Sequence, residues 1–263
     1  MDEFGRIMEF TRWFLETTST RTERSRFGVA CFNDEFRIRY NANVLFADRV
    51  APATPQEVAA ELDRLLDGYE HRKIILSDDE GIRIAAGMRD LGYVADRVVS
   101  MVQRGEPDRA PQLDLVEEVD HAGRREFLKA LYLREKWGEA PGVADALSEF
   151  PGWLEEKIGA RCFVQRVDGQ PAGTCELYVH GGMAQVESVD TLEEFRGRGV
   201  ARNLVLRAAA EGRAAGAQTV FIEADADDWP QQLYERLGFG HVGVYRGFLK
   251  SPLGSPSAGP EAS

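Results

Sequence analysis

The stretch from Val186 to Ala201, V-E-S-V-D-T-L-E-E-F-R-G-R-G-V-A, constrains the fold more than any other part of this 263-residue chain. Val186 to Thr191 alternates as a strand does, Leu192 to Phe195 reads as a short polar turn, and from Val200 a helical pattern places Ala201, Leu204, Val205 and Ala208 on one face. A strand is therefore expected to pass into a helix through Arg196-Gly197-Arg198-Gly199. The first N–H groups of a helix have no partner within it and lie at the positive end of its dipole, so such a junction attracts anions. Gly197 and Gly199 put no side chain between those amides and a phosphate, and Arg196, Arg198 and Arg202 add positive charge. These residues predict a diphosphate cradle; a glycine-rich turn with solvated arginines is the plainer reading of the same letters.

Other phosphate motifs fit worse. A Walker loop requires Gly-Lys-Ser/Thr after its spacer, and a dinucleotide fingerprint requires a third glycine where Arg202 stands. Arg196-x-x-Gly199-x-Ala201 instead resembles the Gln/Arg-x-x-Gly-x-Gly/Ala signature of the GNAT superfamily of N-acetyltransferases. Downstream, Leu233-Tyr234-Glu235-Arg236-Leu237-Gly238-Phe239 resembles that family's L-Y-x-x-L-G-F segment, preceded by a strand over Thr219 to Glu223. The resemblance runs roughly from Leu113 to Lys250.

The resemblance implies an α/β (α+β) GNAT fold, a mixed twisted sheet with helices on both faces. It implies acetyl-CoA as co-substrate and no metal, with the pyrophosphate held from Arg196 through Gly197, Arg198, Gly199, Val200 and Ala201 to Arg202. Val189 and Thr191 match positions whose backbone pairs with pantetheine, and Asp227 matches a cofactor-side position that is often Asn; Asp227 or Asp228 would also cap the helix that carries Tyr234. The implied activity is N-acetyl transfer to a primary amine of a small molecule or peptide by direct attack. An acyl-CoA sensor without turnover is the alternative. Such transfer needs a neutral amine, a stabilised carbonyl oxygen and a proton for the leaving thiolate. Tyr234 matches the tyrosine beside the CoA sulfur and is the acid candidate; a core tyrosine on an amphipathic helix is its bland reading. Glu187 is the base candidate, because strand alternation puts it on the face of Val189. A solvated strand glutamate, or water as base, stays open. Trp229-Pro230 would wall the cleft or join the core.

Composition excludes several classes. No apolar run approaches the ~18 residues of a membrane span, and Met1-Asp2-Glu3 is acidic where a secretory leader is basic, so a cytoplasmic location is expected. The net charge of −12, with acidic side chains in excess on both sides of residue 110, argues against a nucleic-acid partner. Cys31, Cys162 and Cys175 form no metal spacing, and the four histidines are scattered. If Asp168-Gly169 is a two-residue hairpin turn, Cys162 and Cys175 fall opposite each other, although a reducing compartment argues against a disulfide.

The remaining elements alternate. A strand is expected at Leu113 to Glu117, helices at Asp120 to Glu135 and Val143 to Lys157, a hairpin over Arg161 to Val179 left imperfect by Pro171, and a last strand from Phe239. The first half resembles a degenerate copy. Ile74-Ile75-Leu76 precedes Leu91-Gly92-Tyr93 by the spacing that separates Val220-Phe221-Ile222 from Leu237-Gly238-Phe239, and a helix over Thr54 to Tyr69 falls where the diphosphate helix lies. The counterpart of Arg196 to Ala201 is Val50 to Pro55, which has no glycine, no charge and two prolines without N–H donors. The expected domains are a degenerate GNAT-like domain at 1–108, the catalytic domain at 109–250 and a disordered tail at 251–263. The first half would serve as a substrate lid or a homodimer surface.

Overall fold

The structure, a computed structural model, describes residues 2–252, the side chains of Lys136 and Trp137 excepted. The tail expected at 251–263 lies outside the described residues from 253 onward. In chain order the first half forms α1 (Glu3–Thr18), β1 (Arg21–Ser25), β2 (Gly28–Phe32), β3 (Val44–Ala47), α2 (Pro55–Leu65), β4 (Arg72–Ser77), α3 (Asp78–Asp90) and β5 (Val94–Gln103). The second half forms β6 (Val116–Val119), α4 (His121–Tyr132), α5 (Val143–Ile158), β7 (Arg161–Val167), β8 (Gln170–His180), β9 (Met183–Thr191), α6 (Val200–Ala214), β10 (Thr219–Asp225), α7 (Pro230–Arg236) and β11 (Phe239–Lys250). The strand expected from Leu113 starts later, because Leu113–Leu115 is wound into a 3-10 turn. No helix among the described residues is long and apolar enough to cross a membrane.

Two compact units result, and they interleave in sequence. Unit I takes the chain up to Phe10, Ser100–Ala224 and Asp228–Val242; unit II takes Thr11–Val99, Asp225–Asp227 and the chain from Gly243. The contiguous division expected at 108/109 is not the one observed, for two reasons. An unpaired strand edge leaves backbone N–H and C=O groups without partners, and the edge of β4 is satisfied by the last strand, in antiparallel register from Tyr245↔Ser77 to Lys250↔Arg72. The segment read as a linker is also tied down: Arg104 and Gly105 N–H both donate to the Gly238 carbonyl, at 2.9 and 3.0 Å, and Asp108 N–H donates to that of Arg236 at 2.9 Å.

The units repeat one connectivity. In unit II, β1, β2 and β3 pair antiparallel, α2 follows, β4 pairs parallel to β3, and α3 comes next. In unit I, β7, β8 and β9 pair antiparallel, α6 follows, β10 pairs parallel to β9, and α7 comes next. The unit II core joins Phe32, Leu45, Ile74 and Leu76 of its sheet to Val58 and Leu62 of α2 and Ile84 and Met88 of α3.

At the start of α2 the helix closes on itself. Thr54 Oγ1 accepts the Glu57 N–H at 3.3 Å and Glu57 Oε2 accepts the Thr54 N–H at 2.8 Å, a capping box, while Glu80 Oε2 accepts the Ala51 N–H at 2.9 Å. Beside this helix start the Thr54 and Ala51 amides are thus held by carboxylates of the chain itself, and the Glu57 amide by the Thr54 hydroxyl.

In unit I the sheet carries a helix on each face. Cys175 Sγ lies 3.6 Å from the Leu204 carbonyl of α6, whereas its neighbours Thr174 and Glu176 point the other way, to Arg124 of α4. Arg124 and Glu176 are a buried ion pair, with Tyr178 Oη donating to the second Glu176 oxygen and Arg124 Nη1 donating to Thr174 Oγ1 at 3.1 Å. Burial works against the Arg124 charge, and Glu176 together with Cys162 and Tyr178 outweighs it, raising the guanidinium above its ordinary range.

The cysteine pairing considered above is ruled out by a bulge. A register shift beside Arg166, opposite Pro171 and Ala172, puts Cys162 opposite Glu176 and Cys175 opposite Phe163, and all three cysteines are free and buried.

Removing one member of a buried ion pair leaves the other charge uncompensated, which typically costs ~3–5 kcal/mol. Glu176→Ala should lower stability by about that amount, read as a lower urea midpoint with unchanged slope.

Candidate active site

The expected strand-to-helix junction is present, and its backbone explains its glycines. Gly197 (φ 74°) and Gly199 (φ 83°) are both left-handed, a conformation that side chains other than glycine's adopt with strain, and no atom lies within 4 Å of where a Cβ at either position would sit. Gly199 caps α6, and the first helical bond, from Asn203 N–H to the Gly199 carbonyl, is 3.0 Å. No side chain caps the helix start. The amides of Val200, Ala201 and Arg202 therefore point out of the helix at its positive end.

These amides open on a cleft of about 530 Å³ in unit I, lined by the loop, the end of β9 and helix α7. The cleft exists because two strands part. Parallel pairing of β9 with β10 runs from Met183↔Thr219 to Val186↔Ile222 and goes no further, although β9 continues to Thr191. Toward β8 the pairing of β9 persists to Thr191↔Gly173. At the parting point Ser188 has φ 52°, and the register shifts so that Ser188 and Val189 together oppose Cys175.

This bulge corrects one expectation. Simple alternation puts Val189 on the face of Glu187, but Glu187 pairs with Glu176 and Asp190 pairs with Thr174, and directly paired residues share a face. Glu187 and Asp190 therefore stand together on the Arg124 face of the sheet. Glu187 Oε2 accepts a hydrogen bond from Gln185 Nε2 at 2.9 Å. Asp190 lines the cleft with Tyr234. Its carboxyl is pushed up to about 7, first by burial and then by Glu176 and Glu135, against the opposing pull of Arg124 and Arg196. Tyr234 is buried on α7, and burial, followed by the charges of Glu187 and Asp190, raises its phenol well above the ordinary tyrosine range.

Of the residues expected to hold a cofactor, Val189, Thr191, Arg196, Gly197, Gly199, Val200, Ala201 and Arg202 line the cleft. Arg202 is buried and ion-paired to Asp108 at 2.5 Å, so much of its charge is balanced within the protein. Arg198 does not line the cleft; its guanidinium lies 5.5 Å from the centre of the Phe195 ring. Asp227 does not line it either, because its carboxylate pairs with Arg97 at 3.1 Å. Neither aspartate caps α7, whose N-cap is Trp229; Asp228 Oδ1 instead accepts the Trp229 N–H at 2.7 Å and lines the cleft. Trp229 and Pro230 form part of its wall. Sequence reading missed Asp108, Arg109 and Arg236, which also line the cleft. Arg236 lay within the L-Y-E-R-L-G-F segment itself, one turn from Leu233. Asp108 and Arg109 sat in the segment read as a linker and gave no signal.

Residues 125–239 match the Acetyltransferase (GNAT) family. No curated protein matches the chain. Among solved structures, it is similar to a GCN5-related N-acetyltransferase from Kribbella flavida, at 20% identity and a TM-score of 0.59 with 96% of each chain covered. It is also similar to a functionally unknown conserved protein from Staphylococcus epidermidis ATCC 12228, at 15% identity and a TM-score of 0.65, covering 87% of this chain and 92% of that one. These likenesses show the fold over most of the chain.

Because the Tyr234 phenol is held neutral, it should stay protonated through pH ~10, where an ordinary tyrosine is half ionised. Ultraviolet titration of the native protein and of Tyr234→Phe should differ in phenolate absorbance only above that pH; a phenolate lost from the difference at lower pH contradicts the assignment.

Proposed function

We propose, from the match of residues 125–239 to the Acetyltransferase (GNAT) family, that the chain is an acyltransferase that transfers an acetyl group from acetyl-CoA to a primary amine of a small molecule or peptide by direct attack. The observation that carries this reading is the uncapped start of α6 behind two left-handed glycines, facing a cleft that also holds Tyr234. The residues present fit the cofactor. The amides of Val200, Ala201 and Arg202 are free to hold its diphosphate, and Arg109, Arg196 and Arg236 supply charge around the cleft. Past Val186 the edge of β9 has no parallel strand beside it, so the backbone of Val189 and Thr191 can hydrogen-bond the amide-bearing pantetheine arm.

Bound there, acetyl-CoA supplies an acyl group activated as a thioester. The protein's part is proton handling and position. A protonated phenol at Tyr234 can donate to the departing sulfur, and its raised pKa keeps that proton available at neutral pH. The attacking nitrogen must lose its ammonium proton first, and the carboxylates on the Arg124 face, Glu187 and Asp190, are the chain's acceptors for it. One site per chain is proposed, because at the corresponding helix start in unit II two carboxylates, Glu57 and Glu80, already lie on the Thr54 and Ala51 amides, and Pro55 has no N–H to offer.

Turnover of acetyl-CoA against a panel of primary amines, followed by release of free CoA, tests the reading; binding of acetyl-CoA without release of CoA on any amine would favour the sensor instead. Tyr234→Phe removes only the hydroxyl, remote from the diphosphate, so kcat should fall by at least about tenfold with little change in acetyl-CoA affinity. The defect should shrink as pH rises past ~8.5, where a thiolate leaves without a proton. Full activity of Tyr234→Phe from pH ~6 to ~9 would assign the acid to another group.

A further inference from the structure

We propose that Asp190, rather than Glu187, takes the proton from the ammonium form of the acceptor, an inference that rests on the acetyl-transfer reading. The bulge at Ser188 carries the argument. It adds a residue to β9 at the point where β10 parts from it, and so turns Asp190 onto the face that Thr174, Glu176 and Glu187 already share. The carboxylates of that face differ in what they already hold. Glu176 is neutralised by Arg124 and also accepts from Tyr178. Glu187 accepts from Gln185 at 2.9 Å and does not line the cleft. Asp190 lines the cleft beside Tyr234, and no hydrogen bond reaches its carboxylate among the described residues. Its lone pairs are free for a substrate proton.

The surrounding charges tune it for that exchange. Facing Asp190 are Glu176 on β8, Glu135 just past α4, Arg124 on α4, Arg196 in the glycine loop, Tyr234 on α7, and Glu187 on its own strand. The acids and burial outweigh the two arginines, which leaves a carboxyl with a pKa of about 7. A base works best when its pKa lies near the working pH, since it is then both unprotonated and basic enough to accept. An ordinary aspartate near ~3.9 is a weak acceptor for an amine proton at ~10.4. In the step itself one N–H bond of the ammonium breaks and one O–H bond forms on Asp190. The nitrogen lone pair so released attacks the thioester carbon, the C–S bond breaks as the sulfur takes the Tyr234 proton, the attacking nitrogen gives up its second proton through solvent to restore the Tyr234 phenol, and the Asp190 carboxyl returns its own proton to water.

The sign of the pH dependence follows. Asp190 is a base only when ionised, so kcat should rise with pH through about 7, and that limb should be absent in Asp190→Asn and retained in Glu187→Gln. Substrate ionisation is separated by two surrogate acceptors, n-butylamine, which is cationic at neutral pH, and methoxyamine, which is not. Asp190→Asn should lower kcat/KM for n-butylamine by ~10²-fold or more and should affect methoxyamine several-fold at most, with acetyl-CoA affinity by calorimetry unchanged. A purely structural role would depress both amines equally, and that result overturns the inference, as does full activity of Asp190→Asn on n-butylamine. Asp190→Glu should restore part of the n-butylamine rate and the limb. If Asp190→Asn fails to bind acetyl-CoA, the decision passes to Asp190→Glu and Glu187→Gln: a limb that shifts in the former and stays in the latter supports Asp190, and the reverse overturns it. Native protein that binds acetyl-CoA but releases CoA on no amine of the panel overturns the acetyl-transfer reading, and this inference with it; a panel amine that is turned over replaces n-butylamine in the comparison.

Discussion

Parallel pairing between β9 and β10 ends at Val186↔Ile222, and the cleft of unit I depends on that ending. A pair of strands that stayed hydrogen-bonded to their ends would fill the cleft with backbone. The bulge at Ser188 parts them while β8 keeps its hold on β9, so the sheet stays closed on one side and opens on the other. The same extra residue re-phases the side chains, which brings Asp190 beside Glu187 over the buried Arg124–Glu176 pair. One local distortion thus makes both the space and the electrostatics of the site. Its strain is held by the antiparallel pairing with β8 on either side of it.

The two units show what a shared connectivity does and does not decide. Each runs three antiparallel strands, a helix, a parallel strand and a second helix. The units differ at the start of the middle helix. In α2 the amides are satisfied by Thr54, Glu57 and, just upstream, by Glu80, whereas in α6 no side chain caps them and two left-handed glycines clear the approach. A fold hosts chemistry only where its site residues do. The interleaving of the units has a comparable local cause, since β4 takes its antiparallel partner from the end of the chain.

Much of this was legible in the residues. The onset of α6 at Val200, the span of α5 from Val143, Asp120 as the cap of α4 and the repeated connectivity all follow from periodicity and punctuation. The strand-to-helix junction was legible because it is local: glycines that the backbone requires lie within a few residues of the helix they serve. What escaped was set by the third dimension. A serine does not announce a positive φ, so strict alternation misplaced Val189 relative to Glu187 and left Asp190 unremarked. A bulge opposite Pro171 likewise moved Cys162 away from Cys175. Asp227 and Arg198 were drawn off by Arg97 and Phe195, partners that spacing does not reveal.

The uncapped start of α6 is proposed to hold the cofactor's diphosphate, one per chain. Calorimetric titration with acetyl-CoA measures it most directly, on the native protein and on Gly199→Asp, which adds bulk, a strained φ and like charge at the cradle. One equivalent should bind, and Gly199→Asp should weaken it by well over about tenfold, a loss exceeding ~1.4 kcal/mol. Two equivalents per chain, or undiminished affinity in a folded Gly199→Asp, would contradict the account.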